Sequence, residues 1–303
     1  MDQLLALRTF TRIVEAGSLA KAAGSLNLPR SSVSKLLQDL EAHVGAKLVA
    51  RSTRATTITP EGADYYRRAV QLLRDLDEMD AAASGPSIMP SGRLRIDIGS
   101  SLANLVLIPA LPAFTARYPD IELILGVGDR SVDLIGDGVD CVIRGGALGD
   151  SSLIARSLGE LAFVTCAAPA YAQRHGLPET IADLAGHHRG LGYFSASSGA
   201  IFPLRFIEGG QVRELHPTLQ ASVNESTAHM TALLAGLGIG QTFEFVARPY
   251  LRDGRLIELF HDEQPRPFPL HLVYPANRTQ SARLRAFADW VIDLFTQITR
   301  APA

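Results

Sequence analysis

The sequence predicts an α/β protein in two unlike parts: a small helical module carrying a two-stranded wing, then a long helix, then a larger region built on a parallel sheet. Three observations lead there. Residues 18–41, "SLAKAAGSLNLPRSSVSKLLQDLE", read as a helical hairpin whose outward side is crowded with short hydroxyls and cations. The stretch "SGPSIMPSG", residues 84–92, is a Ser/Gly/Pro linker of the kind that separates domains. From Arg93 onward, strand-length apolar runs alternate with helical patterns, the pattern of βαβ units. A length of 303 residues fits two or three domains at roughly 100–200 residues each.

In chain order, Leu4, Leu7, Phe10 and Val14 recur at helical spacing, and the helix is expected to run to Ala16. "EAGS" then supplies a glycine stop and Ser18 as the cap of a second helix, short and alanine-rich. Asn27 to Pro29 breaks that helix, and Pro29 stands where a proline opens a third one ending at Gly45. Val33, Leu36 or Leu37, Leu40 and Val44 form its buried stripe, which leaves Arg30, Ser31, Ser32, Ser34, Lys35 and Gln38 outside. Short hydroxyls, cations and an amide on one exposed face suit close approach to phosphates and base edges, and two helices joined by a tight turn match a helix-turn-helix. "AKLVARSTRATTITPEG" reads as a wing whose Arg51 and Arg54 can grip phosphates or a minor groove. In the next helix Tyr65, Ala69, Leu72, Leu76, Met79 and Ala83 recur at spacings of 4, 3, 4, 3 and 4, a coiled-coil seam without an evident partner in its own domain.

Charge separates the parts. Residues 1–62 carry eight Lys and Arg against five Asp and Glu, a local +3 in a chain of net charge −2, so the remainder is −5. A basic module that meets a polyanion, joined to a module that does not, accounts for the asymmetry. Beyond the linker, "RLRIDIGS" reads as a strand, "LANLVLIPALPAFTARYP" as a helix, "IELILGV" as a strand, "RSVDLIGDG" as a short helix and "VDCVIRGG" as a strand. "TLQASVNESTAHMTALLAGLGIG" gives strand, helix and glycine-rich strand, and "PLHLVYP" before "SARLRAFADWVIDLFTQI" returns the chain to its first lobe. Ligands of such sheets sit at the carboxyl ends of the strands.

The N-terminal run closely resembles the LysR-type transcriptional regulators, in "FTRIVEAGSLAKAAGSLNL", "SSVSKLLQDLEAHVGAKL" and the wing "RSTRATTITPEG" with its Thr-x-x-Gly end. The resemblance covers the whole chain. It implies a winged helix-turn-helix over 1–62, a linker helix and hinge over 63–92, and a two-lobed, periplasmic-binding-protein-like effector domain over 93–303. Lobe I would comprise 93–167 with 269–303, and lobe II 168–268. It implies that Arg30, Ser31, Ser32, Ser34, Lys35, Gln38, Arg51 and Arg54 meet double-stranded promoter DNA, and that Tyr65, Ala69, Leu72, Leu76 and Met79 join two copies, with a tetramer and contact with RNA polymerase as further implications. Two positions depart from the family pattern: Val49 stands where Phe is usual and Ala55 where a basic or polar residue is common.

For the effector, the resembling positions are Ser100, Ser101, Asp129, Arg130, Arg144, the loop Phe194 to Ser198, Asn224, Glu225, Ser226, and Gln241 to Phe243. Helix starts at Ser101 and Asn224 would offer N–H groups to an anion, with Ser100 and Thr242 beside them and Phe194, Phe202 and Phe243 as an apolar wall. Core packing accounts for those aromatics equally well, and Arg144 either faces the ligand or forms an internal ion pair. An anionic or aromatic metabolite that closes the lobes and alters the spacing of the DNA-binding heads is the expectation.

Other functions find less support. GxSxG, HExxH, P-loop and strand-following GxGxxG patterns are missing, and "GLGIGQ" follows a helix, so the sequence predicts no enzyme and no cofactor. Cys141 and Cys166 sit in apolar runs as small buried hydrophobes, and His187 and His188 lack partners at metal-ligand spacing. A solute-binding protein shares the C-terminal fold but not a basic N-terminal module. The opening "MDQLLALRTF" does not read as a secretory leader, and uncharged apolar runs of about 18 residues are lacking, so a cytoplasmic protein without a membrane partner is expected.

Overall fold

The computed structural model describes residues 2–51, 56–83, 89–130, 134, 138–146, 153–279 and 281–299. The chain divides into two compact units, the first made essentially of residues 1–88 and the second of most of the rest.

In the first unit α1 (Gln3–Ala16) is capped by Asp2, whose carboxylate accepts from the Leu5 N–H at 3.0 Å. It ends at Gly17, left-handed at φ 62°. α2 (Leu19–Leu26) ends at a left-handed Asn27, and α3 (Arg30–Val44) at Gly45, φ 76°. Ser18 occupies the cap position of α2, but its side chain makes no capping hydrogen bond. Leu7, Phe10 and Ile13 of α1, Ala22 and Ala23 of α2, and Val33, Leu37 and Leu40 of α3 form one core. Each large apolar side chain removed from water there contributes about 1.5–3 kcal/mol. The alanines of α2 let it press onto its neighbours.

β1 (Val49–Arg51) and β2 (Thr56–Ile58) pair antiparallel as the wing, and α4 (Pro60–Ala83) follows. The turn into α4 explains "TITPEG". Thr59 Oγ1 accepts from the Gly62 N–H at 2.9 Å and donates to the Lys47 carbonyl at 2.6 Å. A Cβ on Gly62 would lie 2.8 Å from the Leu48 carbonyl carbon and closer still to its oxygen, so the helix can lie against this strand only without a side chain.

α4 departs from the expected seam. Tyr65 and Ala69 belong to the core of their own unit, Tyr65 with its ring 5.8 Å from Phe10, and Leu73 is buried beside them. The seam residues therefore do have an intramolecular partner over the first two turns, because the stripe that could pair two helices also faces α1. Leu72 and Met79 are 52% and 62% exposed, and Leu76 is half-buried.

The second unit contains a five-stranded sheet in the order Ile121–Val127, Gly92–Ile98, Cys141–Gly145, Phe268–Pro275 and Leu153–Leu161. β3 (Gly92–Ile98) runs parallel to β4 (Ile121–Val127) and β5 (Cys141–Gly145), as βαβ alternation predicts. β6 (Leu153–Leu161) and the returning β15 (Phe268–Pro275) add antiparallel strands, making the sheet mixed. Between β3 and β4, α5 (Ser100–Leu102) passes through a π turn (Ala103–Leu107) directly into α6 (Ile108–Arg117). Ile96, Ile98, Ile143 and Leu272 of the sheet pack with Phe114 of α6 and with Phe287, Val291 and Phe295 of the final helix (Ala282–Thr299). The expected short helix in "RSVDLIGDG" falls largely outside the described residues.

The second half of this unit begins earlier than expected. β7 (Phe163–Ala167), assigned above to the first lobe, lies between two later strands, β13 (Gly240–Phe243) and β14 (Ile257–Leu259). The chain thus changes sheets at Ala162, a one-residue break between Leu161 and Phe163. α7 (Pro169–His175) and α8 (Ile181–His187) follow, then β8 (Gly190–Phe194), β9 (Ile201–Phe202), the ribbon β10 (Leu204–Glu208) and β11 (Gln211–Leu215), and β12 (Leu219–Val223). α9 (Ser226–Leu234) precedes β13, α10 (Glu244–Arg252) follows it, and the final helix is α11. β12 and β9 flank β8. A Cβ on Gly238 would lie 2.9 Å from the backbone of Gly190 and Leu191, so the glycines of "GLGIG" serve close packing of one chain segment on another.

Candidate nucleic-acid interface and effector site

On α3, Arg30, Ser31, Lys35 and Gln38 are exposed, and Ser32 and Ser34 are half-buried, on the side away from Val33, Leu37 and Leu40. The first two turns of this helix thereby present two cations and three hydroxyls together with its N-terminal N–H groups. Arg12 is committed elsewhere: its Nε donates to Ser25 Oγ at 2.8 Å and its Nη1 pairs with Glu15. Arg51 Cα-pairs with Thr56 in the wing, while its side chain and the whole of Arg54 lie outside what is described. The smaller Val49, in place of the usual Phe, is buried.

The wing is held by a residue that the sequence reading passed over. Glu41, near the end of α3, is buried, and its carboxylate accepts from the N–H groups of Leu48 at 3.0 Å and Val49 at 3.2 Å and from Lys47 Nζ at 2.7 Å. Burial alone would raise its pKa, but the Lys47 and backbone hydrogen bonds outweigh burial and hold the carboxyl below its usual range. Sequence pattern offers no signal for this, since an acid one turn from a helix end is ordinarily solvated.

In the second unit, the two halves meet through polar groups. Asp129, after β4, is the centre. Its Oδ1 accepts from the Ser100 N–H at 2.8 Å, and its Oδ2 accepts from the Ser226 N–H at 2.6 Å and the Tyr193 hydroxyl at 2.8 Å. Ser101 N–H donates to Ser226 Oγ at 3.0 Å, and the Ser100 and Thr227 hydroxyls lie 3.3 Å apart. Ser100 and Ser101 are buried. The Tyr193 phenol is raised, first by burial and then by the Asp129 carboxylate, and so remains a donor.

Several expectations change here. α5 opens at Ser100 rather than Ser101, and α9 opens at Ser226 with Glu225, not Asn224, as its cap. Glu225 accepts from the N–H groups of Thr227 at 2.9 Å and Ala228 at 2.7 Å, whereas Asn224 is exposed. Burial would raise the Glu225 carboxyl, yet these N–H groups and the Ser100 hydroxyl hold it below its ordinary range. The N–H groups expected to await an anion are therefore taken by the protein's own oxygens. Arg144 is internally paired: Nη2 bonds Asp97 and donates to the carbonyls of Gly128 at 2.9 Å and Arg130 at 3.2 Å, which fixes the loop that carries Asp129.

The aromatic wall is not assembled as expected. Phe194 is half-buried, and Phe202 is 51% exposed with its ring 6.2 Å from Tyr193. Phe243 belongs instead to a cluster with Phe163, Phe245 and Phe268 where the chain crosses between sheets. Thr242 is buried opposite Val164. Gln241 ties strands together, its Nε2 donating to Thr165 Oγ1 and the Arg205 carbonyl. Tyr193 was missed because "GLGYF" carries no pattern beyond a buried strand.

Both cysteines are free and buried; burial raises the Cys141 thiol and pushes Cys166 up to about 12. His188 lies within hydrogen-bond reach of the Tyr171 hydroxyl, at 3.2 Å. Among the described residues, no helix is long and apolar enough to cross a membrane.

Comparison with known proteins gives two family matches: the bacterial regulatory helix-turn-helix of the lysR family over residues 4–63, and the LysR substrate binding domain over residues 88–296. An uncharacterized HTH-type transcriptional regulator of Escherichia coli, YhjC, is 40% identical, over 96% of this chain and 97% of its own length. An HTH-type transcriptional repressor of Pseudomonas aeruginosa is 37% identical over 98% and 93% of the respective chains. Among solved structures, CrgA, a LysR-type transcriptional regulator from Neisseria meningitidis, is similar with a TM-score of 0.62 and 30% identity, over 96% of this chain and 98% of that one.

Proposed function

Since the chain belongs to the LysR-type transcriptional regulators, which pair a DNA-binding helix-turn-helix with an effector-binding regulatory domain, we propose that α3 reads promoter DNA through Arg30, Ser31, Ser32, Ser34, Lys35 and Gln38. The observation that carries this is the row of cations and hydroxyls on α3 opposite its buried stripe, in a module of net charge +3. Phosphate contacts give affinity, and side chains at base edges give sequence discrimination. Arg51 and Arg54 extend the contact from the wing. Two copies joined through Leu72, Leu76 and Met79 match a two-half-site operator, and a tetramer and contact with RNA polymerase follow in the same reading. The protein acts in the cytoplasm, by binding rather than by catalysis.

The small molecule sits between the halves of the second unit, beside Ser100, Ser101, Asp129, Tyr193 and Ser226. It shifts the spacing of the DNA-binding heads only through differential affinity for two arrangements.

The test is fluorescence anisotropy with fragments of the DNA upstream of the protein's own gene and of neighbouring genes. Lys35→Ala is expected to weaken binding and to lower the salt slope by about 1. Binding that survives deletion of residues 1–62 would overturn the DNA reading. A melting-temperature screen of the full chain against a metabolite panel tests the effector reading, with competition by Ser100→Trp as its control.

A further inference from the structure

Asp129 raises a question that the effector reading leaves open: what charge of ligand fits beside it. Its carboxylate takes donors from both halves of the second unit, the Ser100 N–H on one side and the Ser226 N–H and Tyr193 hydroxyl on the other. This is the position that the carboxylate of a small acid would take between the starts of α5 and α9. Glu225 adds a second carboxylate to the same junction and consumes the next two N–H groups of α9. Arg144, the cation whose side chain reaches this loop, is consumed by Asp97 and by two carbonyls. Arg130 is exposed.

We propose that Asp129 determines effector specificity by acting as a tethered anion: it fills the carboxylate position between the halves, so the effector presents a neutral or cationic face to this end of the cleft. The inference rests on the effector reading above. Three consequences follow from the geometry. The halves are bridged here by the Asp129 side chain itself. An acid that enters must displace Asp129 or lie beside two carboxylates. Removal of the Asp129 side chain leaves two N–H groups and a phenol O–H aimed at the two oxygen positions of one carboxylate, a site for a small free carboxylate.

The experiment uses the full chain with Asp129→Ala and sodium acetate as the probe, with sodium chloride at equal ionic strength and acetamide as controls. Acetate is expected to raise the melting temperature of Asp129→Ala saturably, by about 3–6 °C at ten times its dissociation constant. Wild type should not respond beyond the chloride control, and acetamide should act on neither. Should Asp129→Ala fail to fold, Asp129→Ser, which keeps a hydroxyl and leaves room for formate, provides the same measurement. Absence of rescue in a folded variant, or an equal acetate response in wild type, overturns the proposal. Because acetate reports on this position whatever the natural effector is, that failure is distinct from a metabolite screen that yields no ligand.

Discussion

Replacing Gly62 with alanine adds one methyl group, and elsewhere on an exposed helix that change stabilises by about 1 kcal/mol through helix propensity. At Gly62 the structure reverses the sign. The new Cβ would meet the Leu48 backbone, 2.8 Å from its carbonyl carbon and 3.0 Å from its Cα, and a backbone cannot rotate away as a flexible side chain can. The first turn of α4 must retreat, which strains the hydrogen bonds from the Thr59 N–H to the Leu48 carbonyl and from Thr59 Oγ1 to Lys47. Overpacking costs about 1–3 kcal/mol and a weakened cap about 1 kcal/mol, against about 1 kcal/mol of regained propensity. The net expectation is a loss of about 1–3 kcal/mol. Gly24, on α2, is the internal control, since a Cβ there meets nothing within 4 Å. Gly24→Ala should match or exceed wild type in urea unfolding followed by circular dichroism, and Gly62→Ala should fall below it. Equal midpoints for the two variants would refute the close-approach argument.

Other expectations can be measured alongside. Glu41→Gln keeps the shape but loses the charge that holds Lys47 and two wing N–H groups, and should cost about 1–3 kcal/mol in the same urea experiment. Leu72→Asp combined with Met79→Asp changes only exposed positions on α4, so light scattering should show a smaller assembly with unchanged circular dichroism; Ala69→Asp, in the core, should instead unfold the first unit. His229 is depressed to about 4 by burial, with the Leu191 carbonyl opposing the shift. The unfolded chain takes up a proton near pH 6.5 that folded His229 refuses, so stability is full above that pH and falls by up to about 3 kcal/mol as pH drops toward 4. His188 is lowered by burial and adds to the loss in the same direction. His229→Gln should flatten the pH dependence of the melting temperature between pH 6.5 and 4, and an unchanged slope would contradict the assignment.

The parts of the fold that were legible in the sequence are those written in local chemistry. Gly17, Asn27 and Gly45 end three helices because each adopts a left-handed conformation, and the periodicity of Val33, Leu37 and Leu40 marks the buried side of α3. The exposed row on α3 follows by exclusion. What was not legible depends on residues far apart in the chain. Asp129 meets Ser100, Tyr193 and Ser226 at separations of 29, 64 and 97 residues, and no spacing rule connects them. The α4 stripe was misread for a related reason: helical periodicity shows that one side is apolar but not whether α1 or a second copy covers it. The sheet change at Ala162 left no trace because both strands are apolar where they meet.

The charge arithmetic at Asp129 gives the specificity argument a magnitude. Two helix starts bring about half a positive charge each, and Asp129 and Glu225 each bring a full negative one. The junction is thus left negative by about one unit when Arg144 and Asp97 cancel. A ligand carboxylate about 5 Å from that residual charge, at an effective dielectric of about 20, is disfavoured by about 3 kcal/mol. An uncharged carboxamide of the same shape escapes this repulsion. Wild type should therefore prefer the amide over the acid of a matched ligand pair by more than about 100-fold. Asp129→Asn removes one of the two negative charges and keeps one acceptor oxygen, which suffices for the Ser226 N–H and the Tyr193 hydroxyl, and should collapse most of that ratio. Calorimetric titration of both proteins with both members of the pair measures it directly. A wild-type preference for the acid would mean that Asp129 swings away when the effector binds, and the helix starts would then serve the ligand rather than the protein's own carboxylate.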